Sequence, residues 1–410
     1  MFEHVLRCRS CEHPLPLPFL SFGDTPLADQ LVSKDQWHQT DLTAPLEVSY
    51  CSVCHLVQLT HVVKPEILYS EKYAYRTSVS SSLITHFRES AQRLIESREL
   101  DSNSLVVEIA SNDGCMLENF RQHGIPVLGI DPAVQPTTAA TTAGIPTLRE
   151  FFTEALAATL AEEGKQADLI LANNVLAHVP DLNGFIRGIR RLLKPDGLAV
   201  FEVPYLADLL NKCEFDTIYH QHLCYFSVTA LVNLFRRHNL FVNRIERIDV
   251  QGGSLRLYVA SQGNNSQDAD RLTEEETRGG LLQSSCYDRF ANYVAGLGQA
   301  LHDFVSNLIS QGKTLAAYGA AAKGTTLLHC ARLGQQQIQY VVDKNPSKQG
   351  KFMPGNRLPI VSPDALKSSP PEYLLILPWN LANEIIAQQA SFRAAGGKFL
   401  IPIPEPTVIE

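Results

Sequence analysis

Short apolar runs alternate with stretches of helical periodicity along most of this 410-residue chain. Five of the runs are brief and largely apolar, as strands that are covered on both faces are. They cover residues 105–107, 127–130, 145–147, 167–172 and 198–203. Helical spacing separates them, for example through Met116, Leu117 and Phe120, and it predicts an amphipathic helix over 80–97 ahead of the first strand. The alternation predicts an α/β fold with a parallel sheet.

A second succession of the same kind begins near residue 314. Residues 314–328 predict a strand, a glycine-bearing turn and a helix, and residues 338–350 predict a further strand with an acidic end. Another buried strand is expected over 373–377. This pattern predicts a second Rossmann-like unit.

The segment between the two units alternates around Gly252 and Gly253 over residues 243–260, which predicts a β-hairpin. The following residues, 264–278, are polar and acidic, and we expect a surface connection there. Near the start, F-G-D-T-P-L-A-D-Q (22–30) is rich in turn formers and predicts a loop.

Four of the nine cysteines stand in two C-x-x-C pairs, Cys8 with Cys11 and Cys51 with Cys54. Each pair places two thiolates on one tight turn, and two such turns complete a tetrahedral site suited to Zn²⁺. No open ligand position is evident, so the spacing predicts a closed, structural zinc. A redox pair or ordinary packing cysteines are the alternatives.

These features predict a zinc-binding domain over residues 1–66, a central α/β domain over 67–262 and a C-terminal Rossmann-like domain over 263–410. The net charge of -8 argues against a broad nucleic-acid surface, and no apolar run reaches membrane-spanning length. The paired cysteines and the absence of a signal-peptide pattern favour a cytoplasmic protein. We expect a monomer or a weak dimer that binds small molecules, without a nucleic-acid or membrane partner.

Each of the first two strands of the central domain ends near a carboxylate, Glu108 or Asp131, where open α/β sheets bind their ligands. A dinucleotide would need a G-x-G-x-x-G turn, but only Gly114 stands here, and Glu108 would repel a phosphate. S-adenosylmethionine has a cationic methionine end, which suits Glu108, and two ribose hydroxyls, which suit Asp131. The sequence therefore favours S-adenosylmethionine, and the alternative is a Rossmann-like domain with another ligand or with none.

Other residues at the same strand ends are expected to contact this methyl donor. They are Ala110, Asn112, Gly114, Pro132, Asn173 and Asn174. Tyr73, Tyr75 and Ser78 lie just ahead of the helix over 80–97 and are expected to close over the donor. Alternatively, the two tyrosines only pack the domain junction.

Tyr219, His220 and His222 lie within four residues of one another, after a core strand. Histidine is the side chain best suited to moving a proton near neutral pH, so we expect proton transfer here. A metal site is a weaker alternative, because no carboxylate nearby completes a ligand set. Polar packing at a domain junction is the other alternative.

The C-terminal unit offers an anion site, because Gly319 lies at a turn before a helix N-terminus. Cationic and polar residues complete the predicted site. They are Lys323, Lys344, Lys348, Trp379 and Asn380. A phosphate-bearing substrate would suit this charge, whereas the alternative is a degenerate half-domain that only packs.

These motifs occur in an order that resembles a known family, the sugar C-methyltransferases that act on nucleotide-linked keto-deoxysugars. The motifs are the two zinc knuckles, T-P-L-A, Y-x-Y-x-x-S, E-I-A-S-N-D-G, Y-H-x-H, G-G-S-L-R, G-A-A-A-K-G-T-T-L-L, D-K-N-P-x-K-x-G and P-W-N. The resemblance implies an N-terminal zinc-binding domain, a central class I S-adenosylmethionine-dependent methyltransferase domain and a C-terminal Rossmann-like domain that helps to hold the substrate. It also implies methyl transfer to C3 of a 4-keto-deoxysugar on a nucleoside diphosphate.

The resemblance implies roles for single residues as well. By motif match, His222 is the base that removes a proton beside the keto group, Tyr219 lies near the substrate oxygens, and Gln221 orients its neighbours. His220 is kept as a second candidate for the base.

Ser254 and Arg256, in the G-G-S-L-R motif, are expected to contact the substrate. The family usually has glutamate where this chain has Gln221 and histidine where it has Gln251, so the acceptor can differ here. The alternative function is C-methylation of a different enolisable keto substrate. A zinc-anchored nucleotide-binding adaptor without catalysis is the non-enzyme alternative.

Overall fold

Three large sheets and one small ribbon organise the chain. The computed structural model describes residues 1–69, 76–250, 252–264 and 266–410. Within these residues the large sheets have seven, six and four strands, and the ribbon has two. The seven- and six-stranded sheets are those of the two predicted α/β units, which confirms the predicted fold class.

The N-terminal region consists mostly of antiparallel strands. Its elements are β1 (Phe2–His4), β2 (Leu20–Pro26), β3 (Thr43–Tyr50), β4 (Val57–Leu59), β5 (His61–Val63) and the short helix α1 (Pro65–Leu68). β1 pairs with β5, whereas β2, β3 and β4 form a separate antiparallel sheet.

The prediction of a loop over 22–30 is wrong as far as Pro26, because these residues belong to β2. The turn formers are accommodated as an irregularity in the ladder. The register of β2 against β3 shifts between Ser21 and Asp24, and Gly23 adopts a φ of 71° there. Pairing with β3 thus overrides the local preference for a turn, and the loop starts only after β2.

The central region supplies most of the α/β elements. They are α2 (Ser81–Arg98), β6 (Val106–Ile109), α3 (Leu117–Gln122), β7 (Val127–Ile130), α4 (Val134–Thr142), β8 (Thr147–Leu148), α5 (Glu154–Glu162), β9 (Ala167–Asn173), α6 (Leu182–Leu192), β10 (Leu193–Pro204), α7 (Leu206–Asn211), β11 (Cys224–Tyr225), α8 (Val228–Arg237), β12 (Phe241–Ile248) and β13 (Ser254–Ala260). Every strand that the apolar runs predict is present, with its ends shifted in most cases.

The seven-stranded sheet has the order β12-β13-β10-β9-β6-β7-β8. Strands β6 to β10 pair in parallel, and side chains at its centre, such as Val107 and Leu171, are fully buried. β13 runs antiparallel between β10 and β12, which confirms the predicted hairpin. Because the parallel strands point the same way, the ends of β6, β7, β9 and β10 meet at one edge.

The short strand β11 belongs to a different sheet from its neighbours in sequence. It pairs with β4, placing Cys224 opposite Gln58 and Tyr225 opposite Val57. The four-stranded sheet therefore has the order β11-β4-β3-β2. The segment that carries the predicted tyrosine and histidines is thus attached to the N-terminal region.

The C-terminal region forms the second α/β unit. Its elements are α9 (Gln267–Arg278), α10 (Ser284–Ser310), β14 (Leu315–Tyr318), α11 (Ala322–Cys330), β15 (Val341–Val342), β16 (Ile360–Val361), α12 (Ala365–Ser368), β17 (Tyr373–Ile376), α13 (Ala382–Gln388), α14 (Ala390–Ala394), β18 (Lys398–Ile401) and β19 (Thr407–Ile409). The sheet order is β16-β15-β14-β17-β18-β19, with only β19 antiparallel. Among the described helices, none has both the length and the apolar character to span a membrane.

The prediction of a surface connection over 264–278 is wrong, because α9 occupies most of it. Ser266 caps this helix, since its hydroxyl accepts a hydrogen bond from the Ala269 N–H at 3.2 Å. Ala269 and Leu272 are buried although the helix is highly charged overall. The polar composition hid a narrow apolar stripe.

A buried carboxylate fastens α9 to the central unit. Glu276 accepts hydrogen bonds from the backbone N–H groups of Val228 and Thr229 at the start of α8, at 2.6 and 2.9 Å. It also accepts one from the Tyr205 hydroxyl at 3.0 Å. The negative charge at the N-terminus of α8 stabilises that helix, and the same contacts hold α9 against the central unit.

Candidate active site

One cavity of about 800 Å³ opens along the edge where β6, β7, β9 and β10 end. Its walls come from the loop after β2, the sheet edge with the turn over 217–222, and the start of α11. It gathers many of the predicted ligand-binding residues. These are Glu108, Ala110, Asn112, Asp131, Pro132, Asn173, Asn174, Tyr219, Gln221, His222, Lys323, Lys348 and Asn380.

The two carboxylates at the sheet edge differ in their surroundings. Glu108 Oε2 is buried without a hydrogen-bond partner in the described structure, and burial raises the pKa of this carboxyl well above its ordinary value. The Asn173 side chain offsets this effect only in part. Asp131 accepts hydrogen bonds from the N–H groups of Asn112 and Ala133, at 2.9 and 2.8 Å. Burial raises the pKa of Asp131 in spite of these bonds.

The backbone turns after β6 and β9 are held in left-handed conformations. Ala110, Asn112 and Asn174 adopt φ angles of 57°, 50° and 53°, which are uncommon for residues other than glycine. Gly129 of β7 allows the first turn to pack closely, because a Cβ there would lie 2.5 Å from the Ser111 Oγ. Strained turns of this kind occur at ligand sites, where the surrounding structure fixes them.

This end of the cavity fits S-adenosylmethionine. A buried carboxylate oxygen without a partner is costly, so Glu108 Oε2 suits the ammonium of the methionine end. Asn174 Oδ1 is also buried without a partner in the described structure, and it offers an acceptor. Each Asp131 oxygen has a second lone pair for a ribose hydroxyl.

The Asp131→Ala variant should bind S-adenosylmethionine about 1.5–3 kcal/mol more weakly, the usual cost of losing a charged hydrogen-bond partner. Titration calorimetry measures this change. Asp343 gives a matched control, because it accepts hydrogen bonds from the N–H groups of Ala320 and Asn345, both at 2.8 Å, in the C-terminal unit. Asp343→Ala should leave donor affinity unchanged, whereas unchanged affinity in Asp131→Ala would remove the ribose assignment.

Tyr219 and His222 lie on a single turn of the chain, which is closed by a hydrogen bond from the backbone N–H of His222 to the backbone carbonyl of Tyr219 at 2.9 Å. His222 Nδ1 lies 2.7 Å from the Thr217 carbonyl, which only accepts, so Nδ1 carries the proton. The Tyr219 hydroxyl lies 2.9 Å from Nε2. Burial, assisted by His178 and Lys323, lowers the pKa of His222 to about 3. The imidazole is therefore neutral.

A second tyrosine–histidine pair lies beside the first. The Tyr69 hydroxyl is 2.9 Å from His178 Nδ1, and the ring centroids of His178 and His222 are 4.9 Å apart. Burial lowers the pKa of His178 to about 4. The sequence analysis missed Tyr69 and His178 as site residues. The available signal was that His178 follows β9, at the same edge as Asn174.

Two acidic cavity residues were also missed. Asp29 lies in the loop after β2, and desolvation raises the pKa of its carboxyl, although Lys348 and Gln221 oppose this effect. Glu214 follows α7, and burial raises the pKa of its carboxyl to about 7. The T-P-L-A motif pointed towards Asp29, but no local pattern marked Glu214.

His220 and Gly114 do not line this cavity. His220 is buried, and its Nε2 atom lies 3.0 Å from the Ala44 carbonyl of β3. Gly114 adopts a φ of 78° and packs against Ile145, 3.1 Å from where a Cβ would stand. Both residues pack behind the cavity wall. His220 is therefore not placed to act as a base, and Gly114 is not placed to contact the methyl donor.

Ser254 and Arg256 also lie away from the lining, within β13. The fully buried Arg256 guanidinium donates to Glu202 Oε1 at 2.6 and 2.8 Å, and His86 Nε2 lies 2.9 Å from the other oxygen of the same carboxylate. The Ser254 hydroxyl donates to the Val250 carbonyl at 3.0 Å. These contacts join α2, β10 and β13 behind the site.

Lys323 lies on the C-terminal wall and is held by three neighbours. Its Nζ is 3.0 Å from Asn380 Oδ1, 3.5 Å from the buried Asp216 Oδ2 and 4.7 Å from the centre of the Trp379 ring. The Trp379 indole N–H donates to Asp216 at 2.8 Å, outside the lining. Trp379 therefore supports Lys323 from behind.

The other residues of the predicted anion site separate into two groups. Lys348 lines the cavity and donates to the Ala320 carbonyl at 2.7 Å, whereas Lys344 is exposed and lies outside it. Gly319 serves the turn, because a Cβ there would lie 2.5 Å from Pro378 Cδ. Only Lys323, Lys348 and Asn380 of the predicted set therefore reach the cavity.

The segment before α2 rests on the turn after β6. The Ser78 N–H and hydroxyl both donate to Asp113 Oδ2, at 3.2 and 2.6 Å, and the Thr77 N–H donates to Asn112 Oδ1 at 2.9 Å. Thr77 lines the cavity, next to the predicted Ser78. The described residues do not include Tyr73, Tyr75 or Gln251.

The four predicted zinc ligands come together in the N-terminal region. The Sγ atoms of Cys8, Cys11, Cys51 and Cys54 all lie within 4.8 Å of one another. The Cys8–Cys54 and Cys11–Cys51 sulfur pairs are 3.4 Å apart. A tetrahedral zinc with Zn–S bonds of about 2.3 Å needs sulfur separations of roughly 3.8 Å, so the cluster fits the ion. Within the described residues no carboxylate or histidine joins it.

The sheet order, with β13 inserted antiparallel next to β10, and the acidic strand ends define a class I S-adenosylmethionine-dependent methyltransferase. Three family models match the chain: "Putative zinc binding domain" over 8–69, "Methyltransferase domain" over 84–243 and "C-methyltransferase C-terminal domain" over 249–404. The C-methyltransferase NovU of Streptomyces niveus is 38% identical over 406 residues, which are 98% of this chain and 96% of NovU. The chain belongs to this C-methyltransferase family.

Two further similarities are partial. A ubiquinone biosynthesis O-methyltransferase of Azorhizobium caulinodans is 28% identical over 126 residues, 30% of this chain and 47% of that protein. The crystal structure of the PH0226 protein from Pyrococcus horikoshii aligns with a TM-score of 0.37 and 14% identity, over 46% of this chain and 95% of that one. The assignment as a C-methyltransferase that uses S-adenosylmethionine and carries a zinc-binding domain rests on the full-length relative and the family models.

Proposed function

We propose that this C-methyltransferase adds its methyl group to C3 of a nucleoside-diphosphate-linked 4-keto-deoxysugar, through an enolate. One observation carries the proposal: a single cavity joins the donor carboxylates Glu108 and Asp131, the Tyr219–His222 pair and Lys348 of the C-terminal unit. We further propose that residues 1–66, 67–262 and 263–410 act as zinc-binding, donor-binding and substrate-binding units.

The proposed chemistry begins with a proton beside the keto group. Carbon becomes a nucleophile there only when that proton is removed, and His222 Nε2 is the basic nitrogen offered to it. The proton moves to the imidazole, and the electron pair of the C–H bond forms the enolate. In the free enzyme the Tyr219 hydroxyl donates to the lone pair of Nε2. The substrate displaces this hydrogen bond, so that Nε2 is free to take the proton and the Tyr219 hydroxyl can donate to the substrate oxygens. When bound, S-adenosylmethionine supplies the electrophilic methyl group and an excellent leaving group.

The remaining residues position the reactants. Glu108 and Asp131 hold the two ends of the donor, while Gln221 connects the turn over 217–222 to Asp29. Enclosure between three parts of the chain excludes water from the enolate. Such positioning supplies much of the rate of methyl transfer, because the thioether leaves without assistance.

Lys348→Met should raise the KM of the acceptor about tenfold or more and leave donor affinity unchanged, because a charge-assisted contact to a phosphate is worth about 1.5–3 kcal/mol. Steady-state kinetics and donor calorimetry measure the two effects. Lys344→Met is the matched control, since Lys344 lies nearby on the surface outside the cavity. Equal KM values for the two variants would contradict the proposed phosphate contact.

The function itself is tested by incubating the enzyme with S-adenosylmethionine and a nucleoside-diphosphate 4-keto-6-deoxyhexose. Mass spectrometry should find a product heavier by one methyl, with the new bond at C3. Methylation of an enolisable keto acid in place of the sugar would select the alternative acceptor class. We place the reaction in the cytoplasm, because none of the nine cysteines, all of them described residues, forms a disulfide, and we expect a monomer or weak dimer.

A further inference from the structure

The loop after β2 carries one acidic side chain into the catalytic cavity. Leu27, Ala28 and Val32 in this loop are buried, with 1%, 7% and 6% of their surface exposed. Asp29 lies among them, yet its side chain stays open and lines the cavity. Asp29 is therefore an exposed side chain in an otherwise anchored loop, and it faces the cavity.

The loop is held in place by the C-terminal unit. The Thr325 hydroxyl of α11 donates to the Ala28 carbonyl at 3.2 Å. Val32 and Phe352 exchange two backbone hydrogen bonds, at 2.9 and 2.8 Å. Asp29 therefore stands on backbone that is fixed on both sides, as a residue that selects a substrate requires.

The surroundings place Asp29 on the acceptor side of the cavity. Burial raises the pKa of the Asp29 carboxyl, whereas Lys348 of the C-terminal wall and Gln221, next to His222 in the catalytic turn, oppose this effect. Both opposing groups therefore lie close to the Asp29 carboxyl. Burial, Asp29 and Asp131 together raise the pKa of Tyr69, so the Tyr69 hydroxyl lies near both carboxylates. Tyr69 in turn contacts His178, whose ring lies 4.9 Å from that of His222, so Asp29 lies close to the residues proposed to act on the acceptor.

We propose that Asp29 is a specificity-determining residue whose carboxylate accepts a hydrogen bond from a ring hydroxyl of the acceptor sugar. The inference rests on the proposed function and names the group that the site recognises. An ionised carboxylate only accepts hydrogen bonds, so the substrate must supply the donor. The proposed 4-keto-deoxysugar carries ring hydroxyls and no ammonium group, so a hydroxyl is the donor that Asp29 would meet. The zinc-binding region thereby contributes directly to substrate choice.

The test compares wild type, Asp29→Asn, Asp29→Ala and Asp24→Asn, in which Asp24 is an exposed residue of β2 outside the cavity. The substrates are a nucleoside-diphosphate 4-keto-6-deoxyhexose and analogues that each lack one ring hydroxyl. Wild type and Asp24→Asn should disfavour one analogue about 10- to 100-fold in kcat/KM. Asp29→Asn, whose amide oxygen is an uncharged acceptor, should lose part of that discrimination, and Asp29→Ala should lose all of it. Each variant should become slower on the parent sugar alone. Zinc content, melting temperature and the affinity for S-adenosylhomocysteine should not change.

Each other outcome overturns the inference. If Asp29→Ala, which has no side-chain acceptor, keeps the wild-type discrimination, the carboxylate does not contact a hydroxyl. If it slows all substrates equally, or weakens donor binding, Asp29 has a structural or donor-side role. If the wild type prefers an amino sugar, the group that Asp29 binds is an ammonium and not a hydroxyl. If the wild type methylates none of the sugars, the proposed function itself is wrong, and the inference about Asp29 is wrong with it. If Asp29→Asn does not fold, Asp29→Ser repeats the comparison.

Discussion

The His222→Ala variant should methylate about 10²–10⁴ times more slowly than wild type and still bind both donor and acceptor, because it loses the proposed general base. Nδ1 is committed to the Thr217 carbonyl, so Nε2 is the basic nitrogen of the ring. That atom also accepts the hydrogen bond of Tyr219. The direct measurement is exchange of the acceptor's acidic hydrogen into deuterated water without the methyl donor, followed by mass spectrometry.

His220→Ala is the matched control, because this neighbouring histidine is buried away from the cavity. If His220→Ala stops the exchange and His222→Ala does not, the wrong histidine has been assigned. If both variants exchange normally, the base lies outside the pair, and His178 is the next neutral imidazole in the cavity.

The pH dependence separates this base from an ordinary histidine. Since the pKa of His222 is lowered to about 3, its neutral form predominates at every pH well above that value. A typical histidine, with a pKa of about 6.5, would lose its basic form through the range of pH 7 to 6. The His222-dependent rate should therefore persist through that range and fall only towards pH 3.

Cys51→Ser should abolish zinc binding and destabilise the protein severely, with activity lost as a consequence. Structural zinc sites in small peptides have apparent binding energies of about 10–16 kcal/mol at neutral pH. A whole domain is typically stable by only about 5–15 kcal/mol, so the N-terminal region cannot absorb such a loss. Elemental analysis should find one zinc per chain in wild type and almost none in the variant, which should also melt at a lower temperature.

Cys286→Ser is the corresponding control, because Cys286 is a half-buried cysteine on α10 and is not part of the four-sulfur cluster. It should retain zinc and melt close to wild type. Freshly purified wild type without zinc would refute the structural assignment, whatever the stability of the variants.

The position of Glu108 and Asp131 at one edge of the sheet was predictable because its determinants are local. A short apolar run followed by polar residues predicts the end of a buried strand, and this placed Glu108 and Asp131 at one edge. Sheet order then brought them together as expected. The paired cysteines were predictable for the same reason, since each pair is complete within four residues.

The acceptor end was only partly predictable because its members come from distant parts of the chain. Tyr69 and His178 meet across 109 positions, and nothing near either residue reveals the other. Asp29 depends on a loop whose place is set by contacts with α11 and Phe352. For Arg256 the sequence motif predicted a contact with the substrate, but the guanidinium donates to the buried Glu202.

The pairing of β11 with β4 has a consequence for how the chain is made. The N-terminal sheet receives its last strand only from residues 224–225, long after residues 1–66 have left the ribosome. Until then the nascent chain exposes the unpaired edge of β4, which is a template for wrong strand pairing. A fragment cut at residue 66 would keep that edge permanently. A fragment meant to isolate the zinc-binding region should therefore be supplied with the missing strand, for example as a separate peptide.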